Sequence, residues 1–172
     1  IPVTLLSTPL CIDPKGNEGL NPQKTEPTNP LYSLDKQQSS LVYYDKNTIV
    51  LTMPYWVKVT NSSVEDSEVK KHSFVLSYDP EAMTASDTKL KLYISHVVED
   101  AGETVTRSNF TYAYRAYSIR AALAAFKEKT GKLPKYLELT AEINNSKDEL
   151  VDKDGKETSV ERSVEYDYAF TE

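Results

Sequence analysis

Apolar and polar residues alternate with a period of two along most of this chain. Such alternation predicts β-strands with one buried and one solvated face, because successive side chains of a strand point to opposite sides. Polar turns separate the runs, which is typical of an antiparallel β-sandwich of the Ig-like or Greek-key type. The alternating or β-rich runs are residues 41–44, 48–59, 72–78, 90–96, 110–116, 137–143 and 160–170.

One stretch follows helical spacing instead, and it predicts a single α-helix inserted near residues 119–130. Ser118 is the predicted N-cap, because its hydroxyl can accept a hydrogen bond from the first turn. Gly131 suits the position after the last turn, where a left-handed backbone is common. The apolar stripe at i, i+4 and i+7 consists of Ile119, Leu123 and Phe126. The chain is therefore predicted to be mainly β with one helix.

Residues 13–40 have a different composition, mostly polar and rich in Pro, Gly and Asn. They predict a long loop, and loops of this length in compact domains are often functional. Residues 1–12 resemble a strand that two prolines confine to a sheet edge or to strand ends. The length of 172 residues fits one domain spanning residues 1–172.

The formal net charge of −6 argues against nucleic acid as a partner, because an acidic domain repels phosphate backbones. No apolar run approaches the roughly 20 residues that a membrane-spanning helix needs. Cys11 is the only cysteine, which excludes an internal disulfide. A secreted peptide, a protein and a glycan all stay open as partners.

His72 and His96, the only histidines, end the apolar faces of two strands that we predict to be neighbours. Zinc usually has three or four protein ligands, and no further ligand stands at a recognisable spacing. We therefore interpret both as strand-end histidines bonded to the backbone or to tyrosine, and we predict no metal site and no cofactor. A nucleophile elbow and a phosphate-binding glycine loop are also missing from the sequence, which predicts no enzyme activity.

The acidic turn with Asp152 and Asp154 resembles the start of a calcium-binding loop. Position twelve of such a loop needs a bidentate Glu, and Ser163 stands there instead. A hairpin turn explains the Asp-Gly pair at residue 155 better, while loose calcium binding by this loop stays open.

Several aromatic residues could form a platform for a ligand or partner, because ring faces pack against the apolar faces of sugars. The other interpretation is that tyrosines at alternating strand positions form the rim of the core. The candidate platform residues are Trp56, Tyr112, Tyr114 and Tyr117.

Two consecutive strands carry a recognisable pattern. Residues 71–76 read Lys-His-Ser-Phe-Val-Leu, and residues 90–96 read Leu-Lys-Leu-Tyr-Ile-Ser-His. This pattern resembles the NigD-like proteins of the Bacteroidetes, in which a Lys-His-x-Phe-x-Leu strand precedes a strand ending in apolar-x-x-His. The similarity covers most of residues 1–170, as the C-terminal β-sandwich of that family.

The resemblance implies an outer-membrane or periplasmic lipoprotein, and hence a location in the cell envelope. We expect the lipid-attached N-terminus and the small N-terminal domain of such proteins to be absent from this chain. The bacteriocin-linked operon of the family implies an immunity or accessory role. We therefore expect a non-catalytic envelope binding or accessory module; the alternatives are a carbohydrate-binding module and a structural adhesin or surface-assembly subunit.

Overall fold

The computed structural model describes residues 28–145, 150–151 and 159–170. The predicted strand at residues 1–12 with Cys11, the loop up to residue 27 and the turn at residues 152–155 lie outside this part of the chain. The single domain over residues 1–172 therefore stays a prediction.

The described chain is mainly β and forms a sandwich of two sheets, which confirms the predicted fold class. In chain order the elements are β1 (Ser40–Asp45), β2 (Thr48–Val57), α1 (Asp66–Val69), β3 (His72–Ser77), β4 (Lys89–Val98), β5 (Thr106–Arg107), β6 (Asn109–Ser118), α2 (Arg120–Thr130), β7 (Tyr136–Ile143), β8 (Leu150–Val151) and β9 (Val160–Asp167). One sheet has the order β1-β2-β6 and the other has the order β3-β4-β7-β9, while β5 and β8 form a short separate ladder.

The pairing of β4 with β7 is parallel, whereas the neighbouring pairs around it in both sheets are antiparallel. Between these two strands the chain passes through β6 in the other sheet and then through α2. This long crossover lets the chain return beside β4 in the same direction, as parallel neighbours require. Alternation of apolar residues does not reveal strand direction, so the sequence did not predict this pairing.

Side chains from both sheets and from α2 share one hydrophobic core. The largest fully buried side chains are Leu31, Ile49, Leu51, Met53, Phe74, Leu76, Leu90, Leu92, Ile94, Tyr117, Ile119 and Phe126. Most of them are the apolar members of the alternating runs, so the inward faces of β2, β3, β4 and β7 were predicted correctly. On β6 the alternation gave the wrong face, because Phe110, Tyr112 and Tyr114 are exposed whereas Ala113 and Tyr117 are buried.

The predicted helix is present as α2, and Gly131 ends it with a φ of 74° in the left-handed region. The N-cap prediction was wrong, because Ile119 occupies that position and no side chain caps the first turn. Ser118 is instead the last residue of β6 and pairs with Thr48 on β2. The prediction of a single helix also missed α1, whose four residues lie in a polar connection without apolar periodicity.

The last part of the predicted loop is built into the sandwich. We call residues 28–34 the linking segment. Leu31, which is 1% exposed, forms bridges to Tyr55 on β2 and to Ile143 on β7, two strands of different sheets. Its backbone N–H donates to the Glu142 carbonyl at 2.9 Å. The loop prediction therefore does not hold for these residues, because irregular backbone here is buried and ties the two sheets together.

Replacing Leu31 by Ala should destabilise the fold by about 2–5 kcal/mol, because it leaves a cavity at the point where the sheets are joined. The half-buried Leu41 on β1 is the matched control, and Leu41→Ala should cost clearly less. Urea unfolding of both variants measures the difference. Equal losses would contradict the joining role of the linking segment.

Candidate functional site

Two of the four predicted platform residues lie within the fold. Trp56 is 5% exposed, and its indole N–H donates to the Asn144 carbonyl at 2.7 Å. Tyr117 is 1% exposed, and its hydroxyl donates to the Phe74 carbonyl at 2.8 Å. The polar tips of both side chains are therefore used by the fold itself.

The other two platform residues belong to the outer surface of the three-stranded sheet. Tyr112 and Tyr114 are 40% and 49% exposed and alternate with the buried Ala113 along β6. On the opposite edge of the sheet, the exposed residues of β1 face the same side. We call this surface the aromatic face, and its exposed members are Val42, Tyr44, Phe110, Tyr112 and Tyr114.

Ring contacts hold one end of the aromatic face in place. Tyr32 of the linking segment stacks on Phe110, with ring centroids 4.0 Å apart and an interplanar angle of 12°. The same ring meets Trp56 edge-on at 5.1 Å. Trp56 lies directly opposite Phe110 on β2, so the linking segment covers an outward position that would otherwise be exposed. A platform of exposed rings thus centres on Tyr112 and Tyr114, and its role in binding stays a prediction.

A second candidate site lies inside the fold, where five charged or titratable side chains form hydrogen bonds with one another. Each of them is at most 6% exposed. We call this group the histidine–arginine network, and its members are Glu68, His72, His96, Asp100 and Arg107.

The side chains of the network come from α1, β3, β4, the loop after β4, and β5, which follow one another along the chain. Glu68 lies on α1, one turn before His72 at the start of β3. His96 lies on β4, which pairs with β3, so the prediction that the two histidines lie on neighbouring strands is confirmed. Asp100 follows β4, and Arg107 ends β5.

Arg107 anchors one end of the network. Its Nη1 and Nη2 donate to the two carboxylate oxygens of Asp100 at 2.8 and 2.6 Å, and its Nε donates to Glu68 Oε1 at 2.7 Å. The Lys71 ammonium lies 3.4 Å from the same Asp100 carboxylate. Two cations thus offset two carboxylates, as burial of charged groups requires.

Glu68 connects the arginine to the histidines. Its Oε1 also accepts a hydrogen bond from the Lys58 backbone N–H at 2.9 Å and lies 3.2 Å from His72 Nε2. Burial by itself would raise the pKa of Glu68, but the hydrogen bonds from Arg107, Lys58 and His72 lower that pKa below its ordinary value. Glu68 is therefore ionised at neutral pH.

The two imidazoles continue the network in a line. His72 Nδ1 lies 2.9 Å from His96 Nε2, and His96 Nδ1 lies 3.3 Å from the Pro30 carbonyl oxygen. Burial lowers the pKa of His72 to about 4. Burial and the neighbouring His72 lower the pKa of His96 to about 3. Both rings are therefore neutral at pH 7.

The tautomers of His72 and His96 follow from the number of N–H groups that the two rings supply. Two neutral rings supply two N–H groups for three contacts, because the Glu68 carboxylate and the Pro30 carbonyl can only accept. The charged Glu68 carboxylate forms the stronger bond, so we place the proton of His72 on Nε2. His72 Nδ1 can then only accept, so His96 donates to it from its own Nε2 over the 2.9 Å contact. The contact without a proton is then the longest one, between His96 Nδ1 and Pro30. All four ring nitrogens thus face protein groups, and the network has a structural role.

The arrangement differs from a metal centre. Within residues 28–145, 150–151 and 159–170, no group of three or more His, Cys, Asp or Glu side chains could hold a metal ion. His72 and His96 bond to each other, His72 also bonds to the Glu68 carboxylate, and His96 Nδ1 faces the Pro30 carbonyl oxygen at 3.3 Å.

Sequence analysis singled out the histidines but missed Glu68, Asp100 and Arg107. The i,i+4 spacing of Glu68 and His72 is a signal, yet it has meaning only once a helical turn is recognised in the polar connection. Asp100 and Arg107 meet through the path of a loop, which no periodicity encodes.

No protein-family model and no curated protein match this chain. Among solved structures, the chain is similar to a putative lipoprotein from Bacteroides fragilis NCTC 9343, with a TM-score of 0.68 and 27% sequence identity. The match covers 89% of this chain and 65% of that chain. The fold is therefore a Bacteroidetes lipoprotein-like fold, and the comparison indicates no enzyme family. Of the helices in the described ranges, none has the length and apolar character needed to cross a membrane.

The network predicts a loss of stability in mild acid. The unfolded chain binds protons on its two histidines below about pH 6.5, whereas the folded chain keeps both rings neutral until about pH 4. The free energy of unfolding should therefore be highest above pH 6.5. It should fall on acidification, approaching about 1.4 kcal/mol per pH unit for each histidine.

Urea unfolding between pH 7 and pH 5 measures this slope. The chain has only two histidines, and the pKa of Glu68 is lowered by its hydrogen bonds, so we assign this slope to His72 and His96. A free energy of unfolding that stays constant from pH 7 to pH 5 would contradict the neutral, buried assignment.

Proposed function

We propose that this chain is a non-catalytic binding module of the cell envelope, of the NigD-like class, which holds a protein or peptide partner on its aromatic face. The observation that carries the proposal is the set of exposed apolar side chains on one sheet surface. Exposed apolar patches of this kind mark interaction sites in soluble domains.

The envelope location is supported by the similarity to the Bacteroides fragilis protein, which is described as a putative lipoprotein. A lipidated N-terminus of the full-length protein would attach the module to the membrane, on the periplasmic side or at the outer-membrane surface. Because this chain spans 65% of that protein, the anchor and any further domain belong to the proposal.

The chemistry of the aromatic face favours a protein partner there. Interfaces between proteins are enriched in Tyr, Phe and Trp, and such rings act as anchors. β6 holds Phe110, Tyr112 and Tyr114 at fixed spacing, so little entropy is lost on binding. A sugar needs converging polar groups beside the ring, and the fold already uses the indole N–H of Trp56 and the hydroxyl of Tyr117.

The charge of the chain favours a basic partner. The net charge of −6 attracts positively charged proteins and speeds their association. A basic secreted peptide that the module sequesters would fit the bacteriocin-linked role that the NigD-like resemblance implies. High salt should then slow association, while the apolar contact on the aromatic face maintains the complex.

Site-specific photocrosslinking in living cells tests the proposal. A benzophenone amino acid is placed at Tyr114 of the full-length protein, and separately at Val42 across the same face. After irradiation, both positions should yield adducts with the same protease-sensitive partner, because both side chains are exposed on one surface.

Arg120, which is exposed on α2, provides the matched control position and should yield no such adduct. The same adduct at Arg120 would contradict the assigned surface. A crosslink from Tyr114 into the chain itself would show that another part of the protein covers the face, and it would overturn the proposal. An absence of adducts at both Tyr114 and Val42 would also overturn it.

A further inference from the structure

The outer surface of the four-stranded sheet carries a cleft of about 780 Å³. Its floor is formed by β4, β7 and β9, and one wall is formed by residues 78–87 between β3 and β4. The volume lies within the range of about 300–1,000 Å³ that is typical of small-molecule sites. The cleft is separate from the aromatic face, which belongs to the other sheet.

A row of four hydroxyl side chains crosses the floor of the cleft. The pairing register places Ser77 opposite Tyr93, Tyr93 opposite Thr140, and Thr140 opposite Ser163. All four alternate with core residues and line the cleft. Thr140 and Ser163 lie within hydrogen-bond distance across their strands, with the two oxygens 2.7 Å apart. The hydroxyls of Ser77 and Tyr93 are buried, so the sheet presents those of Thr140 and Ser163, which can both donate and accept hydrogen bonds.

Charged side chains flank the hydroxyl row. Lys91 lies opposite Glu138 in the β4–β7 register, two residues before the Tyr93–Thr140 pair and on the same outer face. Lys89 contacts Glu138 at 3.4 Å and Glu165 at 2.6 Å. Ammonium groups that only donate and carboxylates that only accept thus stand beside the hydroxyls.

The wall of the cleft is held by local hydrogen bonds. Asp79 Oδ1 accepts from the backbone N–H groups of Glu81 and Ala82 at 2.9 and 3.3 Å. Asp87 accepts from the backbone N–H and the hydroxyl of Thr84 at 2.9 and 2.6 Å. These two turns fix the segment that follows Tyr78, so the cleft is shaped without a ligand.

The lining selects against anions. Carboxylates outnumber ammonium groups, with five acidic residues against two lysines. Such a lining repels phosphates and acidic sugars, whereas hydroxyls, carboxylates and tyrosine side chains match the donors, acceptors and apolar faces of a polyhydroxylated molecule. We propose that this cleft binds a short neutral saccharide. This site is independent of the partner surface proposed for the aromatic face.

A glycan array tests the proposal with the chain as it exists. The array carries neutral di- to tetrasaccharides of glucose, galactose, mannose and N-acetylglucosamine, beside sialylated and sulfated glycans. At least one neutral saccharide should bind, and the acidic glycans should not. Binding of the acidic glycans alone, or of no neutral saccharide, would overturn the proposal.

Variants then place the bound saccharide. Thr140→Val with Ser163→Ala removes two hydroxyls from the floor and should weaken affinity by about tenfold or more in calorimetric titration. The matched control is Ser40→Ala with Thr52→Val, because those two hydroxyls form the same kind of cross-strand bond, at 2.9 Å, on the other sheet. The control pair should leave affinity unchanged.

A further cleft variant distinguishes loss of binding from misfolding of the Thr140→Val, Ser163→Ala protein. Glu161→Gln changes an exposed cleft residue and should also lower affinity while the thermal midpoint of unfolding stays the same. Unchanged affinity in both cleft variants would overturn the assignment. Loss of binding in Tyr114→Ser would place the saccharide on the aromatic face and would overturn it as well.

Discussion

The buried guanidinium of Arg107 is the constraint on which the arrangement at this end of the sandwich depends. An arginine cannot lose its charge by deprotonation, so its burial requires carboxylate partners. Asp100 and Glu68 meet that requirement. Glu68 in turn orients His72, and His72 orients His96, whose backbone forms hydrogen bonds to Thr28 and Asn29 of the linking segment. One buried charge thus connects α1, β3, β4, β5 and the segment that joins the two sheets.

Because the histidine–arginine network is buried, it bears on which surfaces of the sandwich can bind a partner. The charged groups of the network form hydrogen bonds and ion pairs with one another inside the fold. Contacts with partners are therefore left to the outer surfaces of the two sheets. Those surfaces differ: one sheet presents exposed tyrosine and phenylalanine, and the other presents a hydroxyl row beside lysine and glutamate. A sandwich with two chemically distinct outer surfaces suits a module that holds partners, and it fits the proposed role in the envelope.

Local patterns predicted much of the fold but little of the candidate site. Period-two alternation identified most strands and the inward faces of all the long strands but β6, where tyrosines stand on the outer face. Gly131 marked the end of the helix because a left-handed backbone favours glycine. Tertiary contacts decided the rest. Trp56 stands at an outward position and is buried where Tyr32 packs against it and the Asn144 carbonyl accepts its indole N–H. The partners of the two histidines come from a short helix and a loop, and neither has a periodic signature.

The most direct test of this account is a proton–nitrogen NMR correlation spectrum of the imidazole rings, recorded from pH 8 to pH 5. The chain contains two histidines, so each signal can be assigned by a single substitution. The account predicts that His72 and His96 are both neutral Nε2–H tautomers whose shifts stay constant over this range. Titration of either ring near pH 6.5, or a proton on Nδ1 of His96, would contradict the buried, neutral histidine–arginine network.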